Sequence, residues 1–409
     1  MNEKITIIGA GLSGCEIALR LANKGYKVVL YNKHPNRQEL YRGNNMAQLV
    51  CSNSLGNKSI NHPQGLLIKE LELLSSQLLK IAYENSYSSE TKLFVNRNAF
   101  SAQVTQAIKS HRNITVKENL IQKIPKTRPL VIATGPLTND FLVKSIKNLF
   151  GQNSLSFYDA TSPIVNKKSV DLSKCWFDTK NPNIYNISLN RKEYFQLVNE
   201  LKSNCSAETL RIKESTNFDQ CLPVELIATI HSEELAKTRF ASKREKDFAT
   251  IEMLQDYSVA DGLVINGFIT RLPYPTQKAI LQKFPCLNNV SFIRYGRMHE
   301  NSFVNAPKLL NNFFECKNHE DLYIIGQLSG IDGYLPAVAS AIVAEYSIDC
   351  KFIGIMPIPF PTTTMIGGFA KYSSTKNQDY QPMTSSLGLL SSTKDHYNIS
   401  ILSLEEWKR

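Results

Sequence analysis

No C-x-x-C occurs among the eight cysteines, at positions 15, 51, 175, 205, 221, 286, 316 and 350. That spacing argues against a zinc site and against a redox dithiol. No apolar run approaches the ~18 residues needed to span a bilayer. The chain opens directly into a strand-like run rather than a secretory leader. The expectation is a cytoplasmic protein without membrane or metal sites, whose thiols are free and mostly buried filler. No internal repeat is evident, and 409 residues suffice for two or more domains.

Acidic residues are the scarcer sign of charge: 47 basic against 36 acidic residues leaves +11. That balance permits an anionic partner such as RNA without requiring one. The densest basic stretch is Lys237-Thr-Arg239 with Lys243-Arg244-Glu-Lys246. A solvated surface loop explains it as well as an RNA contact does.

What is present begins in the first thirty residues. Ile5-Thr-Ile-Ile8 is a β-branched run that leads into Gly9-Ala-Gly11-Leu-Ser-Gly14. A helical pattern follows from Cys15 to Lys24, Gly25 stops it, and Tyr26–Tyr31 reads as the next strand. Strand, glycine turn, helix, strand is the context in which G-x-G-x-x-G binds a dinucleotide. Gly9 permits the tight turn, Gly11 lets the backbone approach a pyrophosphate, and Gly14 lets helix and strand pack closely. The helix N-terminus adds unpaired N–H groups and a partial positive charge. An acidic residue normally ends the second strand and takes the ribose hydroxyls. Here Asn32 stands in that place, able to accept one such bond without charge.

Residues 32–65 form a long polar excursion, and Leu67, Leu71, Leu74, Leu78 and Ile81 predict one amphipathic helix. Phe100, Val104, Ala107 and Ile108 predict another, with Asn98 as its cap. Ile114-Thr-Val116 reads as a strand, and Leu130–Gly135 as a buried strand ending in a glycine turn. An inserted α+β domain follows. Leu322–Gly326 then resumes the buried-strand pattern, Pro336 stands at a first helical position, and Ala337–Tyr346 is an apolar helix. A first βαβ unit, an insertion and a late closing strand and helix suit FAD better than NAD. The expected class is α/β: a Rossmann-like FAD-binding domain of the two-dinucleotide-binding flavoprotein type with an inserted α+β domain. The expected boundaries are 1–140 and 316–372 for the FAD-binding domain, 141–315 for the insertion, and 373–409 for a Ser/Thr/Asn-rich tail.

Cys51, in Leu49-Val-Cys51-Ser-Asn-Ser-Leu55, and Cys221, in Phe218-Asp-Gln-Cys221-Leu-Pro-Val-Glu225, lie beside small or polar residues. A cysteine in such a turn can form the nucleophilic thiolate. Taken singly, each reads first as inert. His299, in Tyr295-Gly-Arg-Met-His299, likewise reads first as a satisfied core or surface residue.

Together the segments resemble a known family. The ordered segments are the fingerprint at 9–14, Cys51-Ser-Asn-Ser-Leu55, Ala133-Thr-Gly-Pro-Leu-Thr138, and Phe157-Tyr-Asp-Ala160 with Pro163-Ile-Val165. Next come Cys221-Leu-Pro-Val-Glu225 and Tyr295-Gly-Arg-Met-His299 with Asn301-Ser-Phe303. Gly326-Gln-Leu-Ser-Gly330 with Gly333-Tyr334, and Gln381-Pro-Met383, complete the order. Over about residues 4–390 the chain resembles the folate- and FAD-dependent RNA uracil-5-methyltransferases. The resemblance implies that NADPH or NADH reduces FAD, methylenetetrahydrofolate supplies the carbon, and reduced flavin supplies the electrons. By the same carry-over Cys221 attacks uracil C6, and Cys51 acts at C5 as base or as guard near the flavin. Gly9, Gly11, Gly14, Asn32, Gly135, Gly326, Gln327 and Gly330 would hold the cofactor, and His299 and Tyr334 would contact substrate. The target uridine, in the tRNA T-loop or in large-subunit (23S) rRNA, would be exposed or flipped out.

The chain departs from the family pattern at several points. Asn32 replaces Glu, Gly56 replaces Arg, Ile187-Ser188 replaces Cys-Pro, and Pro336 replaces Glu. A Gly-Pro-Met-Lys-Pro stretch is missing from a shortened Thr229–Lys246. That gap motivates one competing expectation, a flavoprotein oxidoreductase acting on folate or another small molecule. A third is a non-catalytic paralogue that binds nucleic acid or a partner. Oligomeric state is not encoded in any of these motifs.

Overall fold

The structure is a computed structural model. It describes residues 4–32, 44–49, 52–135, 138–151, 154–178, 181–210, 222–256, 261–377, 380–391 and 395–409, with only the backbone at 140, 154–161, 178, 181–182, 256 and 297–302. The chain divides into two compact units. Unit one comprises Met1–Val50, Ser54–Ser156 and Asn301–Arg409; unit two comprises Cys51–Asn53 and Phe157–Glu300.

Unit one is built on a parallel five-stranded sheet in the order Leu322–Ile324, Leu130–Ile132, Lys4–Ile8, Lys27–Tyr31, Ile114–Lys117. Its inner strands carry continuous apolar runs because a parallel sheet is covered on both faces. Ile5, Ile7 and Leu130–Ile132 are fully buried. The helix Leu12–Asn23 follows the first strand, and the long helix Tyr334–Phe352 follows the last. An ion network joins the two helices. Glu345 receives Arg20 Nε at 2.9 Å and Lys24 Nζ at 2.6 Å, while Asp349 receives Lys24 Nζ and Tyr26 Oη, each at 2.7 Å.

Three local expectations are corrected. The single helix expected across 67–81 is two, Pro63–Leu73 and Gln77–Glu84, broken at Ser75, whose φ is +55°. Ser76 caps the second, and the buried Glu16 carboxylate accepts the Gln77 and Leu78 N–H groups at 3.0 and 2.8 Å. Asn96, not Asn98, caps Arg97–Ser110, accepting the Ala99 N–H at 3.1 Å. Pro336 is the third residue of its helix rather than the first. It is accommodated because the first-turn N–H groups need no helical partner.

Residues 373–409 lie in unit one. Tyr380 is buried, and His396–Lys408 is a helix whose Ser400 is also buried. Ser400 Oγ donates to Glu70 at 2.6 Å. The same carboxylate accepts the first two N–H groups of the helix Met365–Ser374, from Met365 at 2.6 Å and Ile366 at 2.9 Å. One buried carboxyl group thus ties three helices together and, when ionised, complements the positive end of one of them.

Burial pushes the Glu70 carboxyl up from 4.5 to about 7, outweighing the three donors, which favour the charged form. The native state therefore keeps this proton to higher pH than the unfolded chain does. The stability linked to Glu70 is whole below pH 4.5 and is lost as pH rises towards 7, on the order of 3 kcal/mol. Glu70→Gln, which cannot ionise, should flatten that slope. Urea midpoints measured from pH 4.5 to 7.5 check this, and an equal slope in the variant would assign it to another group.

Unit two holds a six-stranded antiparallel sheet in the order Trp176–Asp178, Asn181–Leu189, Ala249–Asp256, Gly262–Ile265, Ile164–Asn166, Phe292–Arg294. The helices Arg191–Ser203, Val224–Ile230 and Tyr274–Leu281 contribute buried side chains to the same core as one face of this sheet. Ile187, Leu189, Ile251, Met253, Leu263 and Ile265 are that face, at the alternation a half-covered strand requires.

Candidate active site

The glycine turn is closed behind and open in front. A Cβ on Gly9, whose φ is +107°, would meet the Ala133 carbonyl oxygen at 2.4 Å. A Cβ on Gly14 would meet the Gly9 carbonyl oxygen at 1.8 Å. Both positions therefore exclude every other residue by contacts within the fold. Gly11 differs: a Cβ there would meet nothing within 4 Å. Gly11 is also the N-cap of Leu12–Asn23, and no side chain caps that helix. The first-turn N–H groups are thus offered at a surface that the described residues do not fill, which fits an approaching pyrophosphate.

Neighbouring residues stiffen the turn. The Ala10 carbonyl accepts the Ala47 N–H at 2.9 Å and the Cys15 thiol at 3.4 Å. Burial pushes the Cys15 thiol far up, so it remains an inert donor. Asn32 follows the second strand. Its N–H donates to the Lys117 carbonyl at 2.9 Å, and the residue is half-buried.

A second turn forms after the strand Leu322–Ile324. The Gly326 N–H donates to Ser340 Oγ at 2.8 Å, and Gln327 Nε2 donates to Asp332 Oδ1 at 2.7 Å. Gly330 lies against Tyr380, whose hydroxyl donates to the Ser329 carbonyl at 2.7 Å. The Met383 N–H donates to the Gly330 carbonyl and the Asp332 N–H to the Met383 carbonyl, at 2.8 and 2.9 Å. Gln381-Pro-Met383 therefore braces this turn. Gly333 caps Tyr334–Phe352, again without a side-chain cap, and Tyr334 is the first helical residue. Gly135, with φ +65°, has open space where its Cβ would be. Ser340, Ala47 and Tyr380 carried no sequence signal, because their roles exist only across long separations in the chain.

In unit two, Asn53 of the Cys-Ser-Asn-Ser-Leu motif is buried, and its amide donates to the Gln255 carbonyl at 3.4 Å. Glu225 of the Cys-Leu-Pro-Val-Glu motif is buried too. Its carboxylate accepts Thr270 Oγ1 and the Arg271 N–H, each at 2.8 Å. Burial raises its proton affinity, and the Arg271 N–H opposes that. Cys51 and Cys221 lie outside the described residues, as does the side chain of His299. The basic stretch at 237–246 is partly committed within the fold. Arg244 is held by Asp247 at 2.9 Å and lies 4.2 Å from the centre of the Trp176 ring, and Lys243 faces Glu252 at 3.7 Å. Among the described residues no His/Cys/Asp/Glu group could hold a metal ion, and no helix is long and apolar enough to cross a membrane.

The parallel sheet, the glycine cradle and the late closing strand and helix define a dinucleotide-binding α/β protein of the flavoprotein type. The fold matches GidA from Aquifex aeolicus in two crystal forms, with a TM-score of 0.72 for each. In the form II comparison, identity is 16%, over 99% of this chain and 74% of that one. A family model described as glucose inhibited division protein A matches residues 4–355. The methylenetetrahydrofolate-tRNA-(uracil-5-)-methyltransferase TrmFO of Aquifex aeolicus is 35% identical over 402 residues, 95% of this chain and 90% of that protein. Its namesake in Bacillus subtilis is 35% identical over 407 residues, 95% and 93% of the two chains. The chain belongs to this methyltransferase family within the wider glucose inhibited division protein A group.

Proposed function

We propose that this protein transfers a one-carbon unit from methylenetetrahydrofolate to C5 of a uridine in RNA, in the cytoplasm, with reduced FAD as electron donor. The glycine cradle carries this reading: it is closed by the fold behind Gly9 and Gly14 and left open at Gly11. FAD, recharged by NADPH or NADH, supplies the electrons that turn the transferred carbon into a methyl group. The turn at Gly9, Gly11 and Gly14 would take its pyrophosphate and Asn32 its ribose. Gly135, Gly326, Gln327 and Gly330 would line the rest of the cofactor.

On the RNA side, C5 of uracil is a poor nucleophile until something adds at C6. The Cys221 thiolate would make that addition, placing electron density on C5, and Cys51 would take the C5 proton or guard the flavin. His299 and Tyr334 would hold the substrate. Glu225, bonded to Thr270 and Arg271, fixes the segment that follows Cys221. The relatives' names specify tRNA. A large-subunit rRNA uridine is the second target, motivated by the shortened segment at 229–246.

The test uses flavin-loaded protein, methylenetetrahydrofolate and NADPH or NADH, with unmodified tRNA and rRNA supplied separately. Mass spectrometry should find 5-methyluridine in the tRNA. Product in rRNA alone moves the target. Folate-dependent flavin reoxidation with product in neither RNA would overturn the reading in favour of a small-molecule oxidoreductase.

A further inference from the structure

Tyr274, Tyr295 and Phe292 form a column of nearly parallel rings in unit two. Tyr274 and Tyr295 lie 4.6 Å apart at 13°, and Tyr295 and Phe292 lie 4.3 Å apart at 14°. Most other ring pairs among the described residues are tilted or edge-on, such as Tyr194 with Phe195 at 80° and Tyr346 with Phe360 at 76°. Tyr295 is the middle ring of the three, and Tyr274 is 36% exposed.

The column is held in place. Gln277, fully buried on the helix Tyr274–Leu281, clasps the peptide that follows Tyr295. Its Oε1 accepts the Gly296 N–H at 2.8 Å, and its Nε2 donates to the Gly296 carbonyl at 2.9 Å. Glu225 anchors Thr270 and Arg271, just before Tyr274, and itself stands four residues after Cys221 in the chain. The stretch around the column carries charge of one sign. From Gly262 to His299 there is no Asp or Glu, while Arg271, Lys278, Lys283, Arg294 and Arg297 are all basic. Arg271 and Lys283 face Glu208 and Glu200 from other segments, and Lys278, one turn beyond Tyr274, is exposed.

We propose that Tyr274 is a stacking platform for a base of the RNA loop that carries the target uridine, with the exposed Lys278 taking a neighbouring phosphate. This rests on the methyltransferase reading above. A flipped or splayed uridine leaves its neighbours unstacked, and an exposed aromatic ring replaces the lost stacking with no demand on base identity. A rigid ring spends less ordering entropy on binding than a mobile one.

The experiment measures binding of a fluorescent RNA hairpin with a uridine in its loop to flavin-loaded, full-length protein. Tyr274→Ala should weaken binding about 5- to 100-fold, and Tyr274→Phe should stay within about threefold of the unmodified protein. Methylation of the same hairpin should show the alanine defect in KM rather than kcat. Binding by Tyr274→Ala within twofold, beside normal methylation by the unmodified protein, would overturn the platform and leave the methyltransferase reading standing. A phenylalanine variant as weak as the alanine one would also overturn it, by moving the effect to the hydroxyl. An unmodified protein that neither binds nor methylates RNA would remove both readings.

Discussion

Replacing Cys221 with alanine should abolish 5-methyluridine formation while the protein stays folded and yellow. Attack at C6 is what makes C5 reactive, so no other group in the reading substitutes for the thiolate. The expected loss is at least about 10³-fold in single turnover, or roughly 4 kcal/mol of barrier. Serine at the same position should be nearly as inactive, since a hydroxyl lacks the low proton affinity and polarisability that make a thiolate effective. The measurement is product by mass spectrometry in a single turnover, beside the flavin spectrum of each variant. Flavin should remain, because the substitution leaves the glycine cradle at Gly9, Gly11 and Gly14 unchanged. Product at the normal rate from Cys221→Ala would remove the nucleophile assignment. Folate-dependent flavin reoxidation that is indifferent to Cys221→Ala, with no RNA product from either protein, would favour the oxidoreductase reading.

The second large effect separates two kinds of glycine in one motif. Gly14→Ala forces a methyl group to within 1.8 Å of the Gly9 carbonyl oxygen, and backbone on both sides must move. The expected cost is about 4 kcal/mol or more, with flavin lost together with the fold. Gly11→Ala meets nothing within 4 Å. Its cost to the flavin-free protein should be about 1 kcal/mol, from exchanging glycine for alanine at a helix N-cap. Flavin affinity should nonetheless fall at least about tenfold, because the new methyl group stands where the pyrophosphate would approach. Flavin-to-protein ratios and urea unfolding of the flavin-free proteins read the two effects separately. Full flavin occupancy in Gly11→Ala would mean that no phosphate approaches this turn.

The parts legible in the sequence are those fixed by local rules. The strand, glycine turn, helix and strand of residues 4–31 announce themselves by pattern, as do the strands at 114–117, 130–132 and 322–324. The misread parts depend on partners far away in the chain. Periodicity carried one helix across 67–81. The break at Ser75 is stabilised by the Glu16 carboxylate, some sixty residues earlier, receiving the next helix's first N–H groups. Nothing near Glu70 foretells its bonds to Met365, Ile366 and Ser400. Asn96 and Asn98 are both good caps by type, and backbone geometry decides between them. The candidate site divides in the same way. Gly9, Gly11 and Gly14 follow from the motif, whereas Ser340 and Tyr380 are visible only in three dimensions. The aromatic column joins Tyr274 to Tyr295, and stacking at that separation has no sequence period to betray it.

The strand Leu322–Ile324 has a consequence for how the protein is made. It pairs with Leu130–Ile132, the outer neighbour of the first strand. A ribosome finishes residue 132 long before it reaches residue 322. At about 5–20 residues per second, the 190 intervening residues take roughly 10–40 s. Throughout that interval the nascent chain lacks the partner for a fully apolar parallel edge, the kind of edge that recruits other chains. It also lacks Glu345 and Asp349, which Arg20, Lys24 and Tyr26 await. The residues of unit two, apart from Cys51–Asn53, are all synthesised within that window. The glycine turn is thus written first, and the sheet that carries it is completed last.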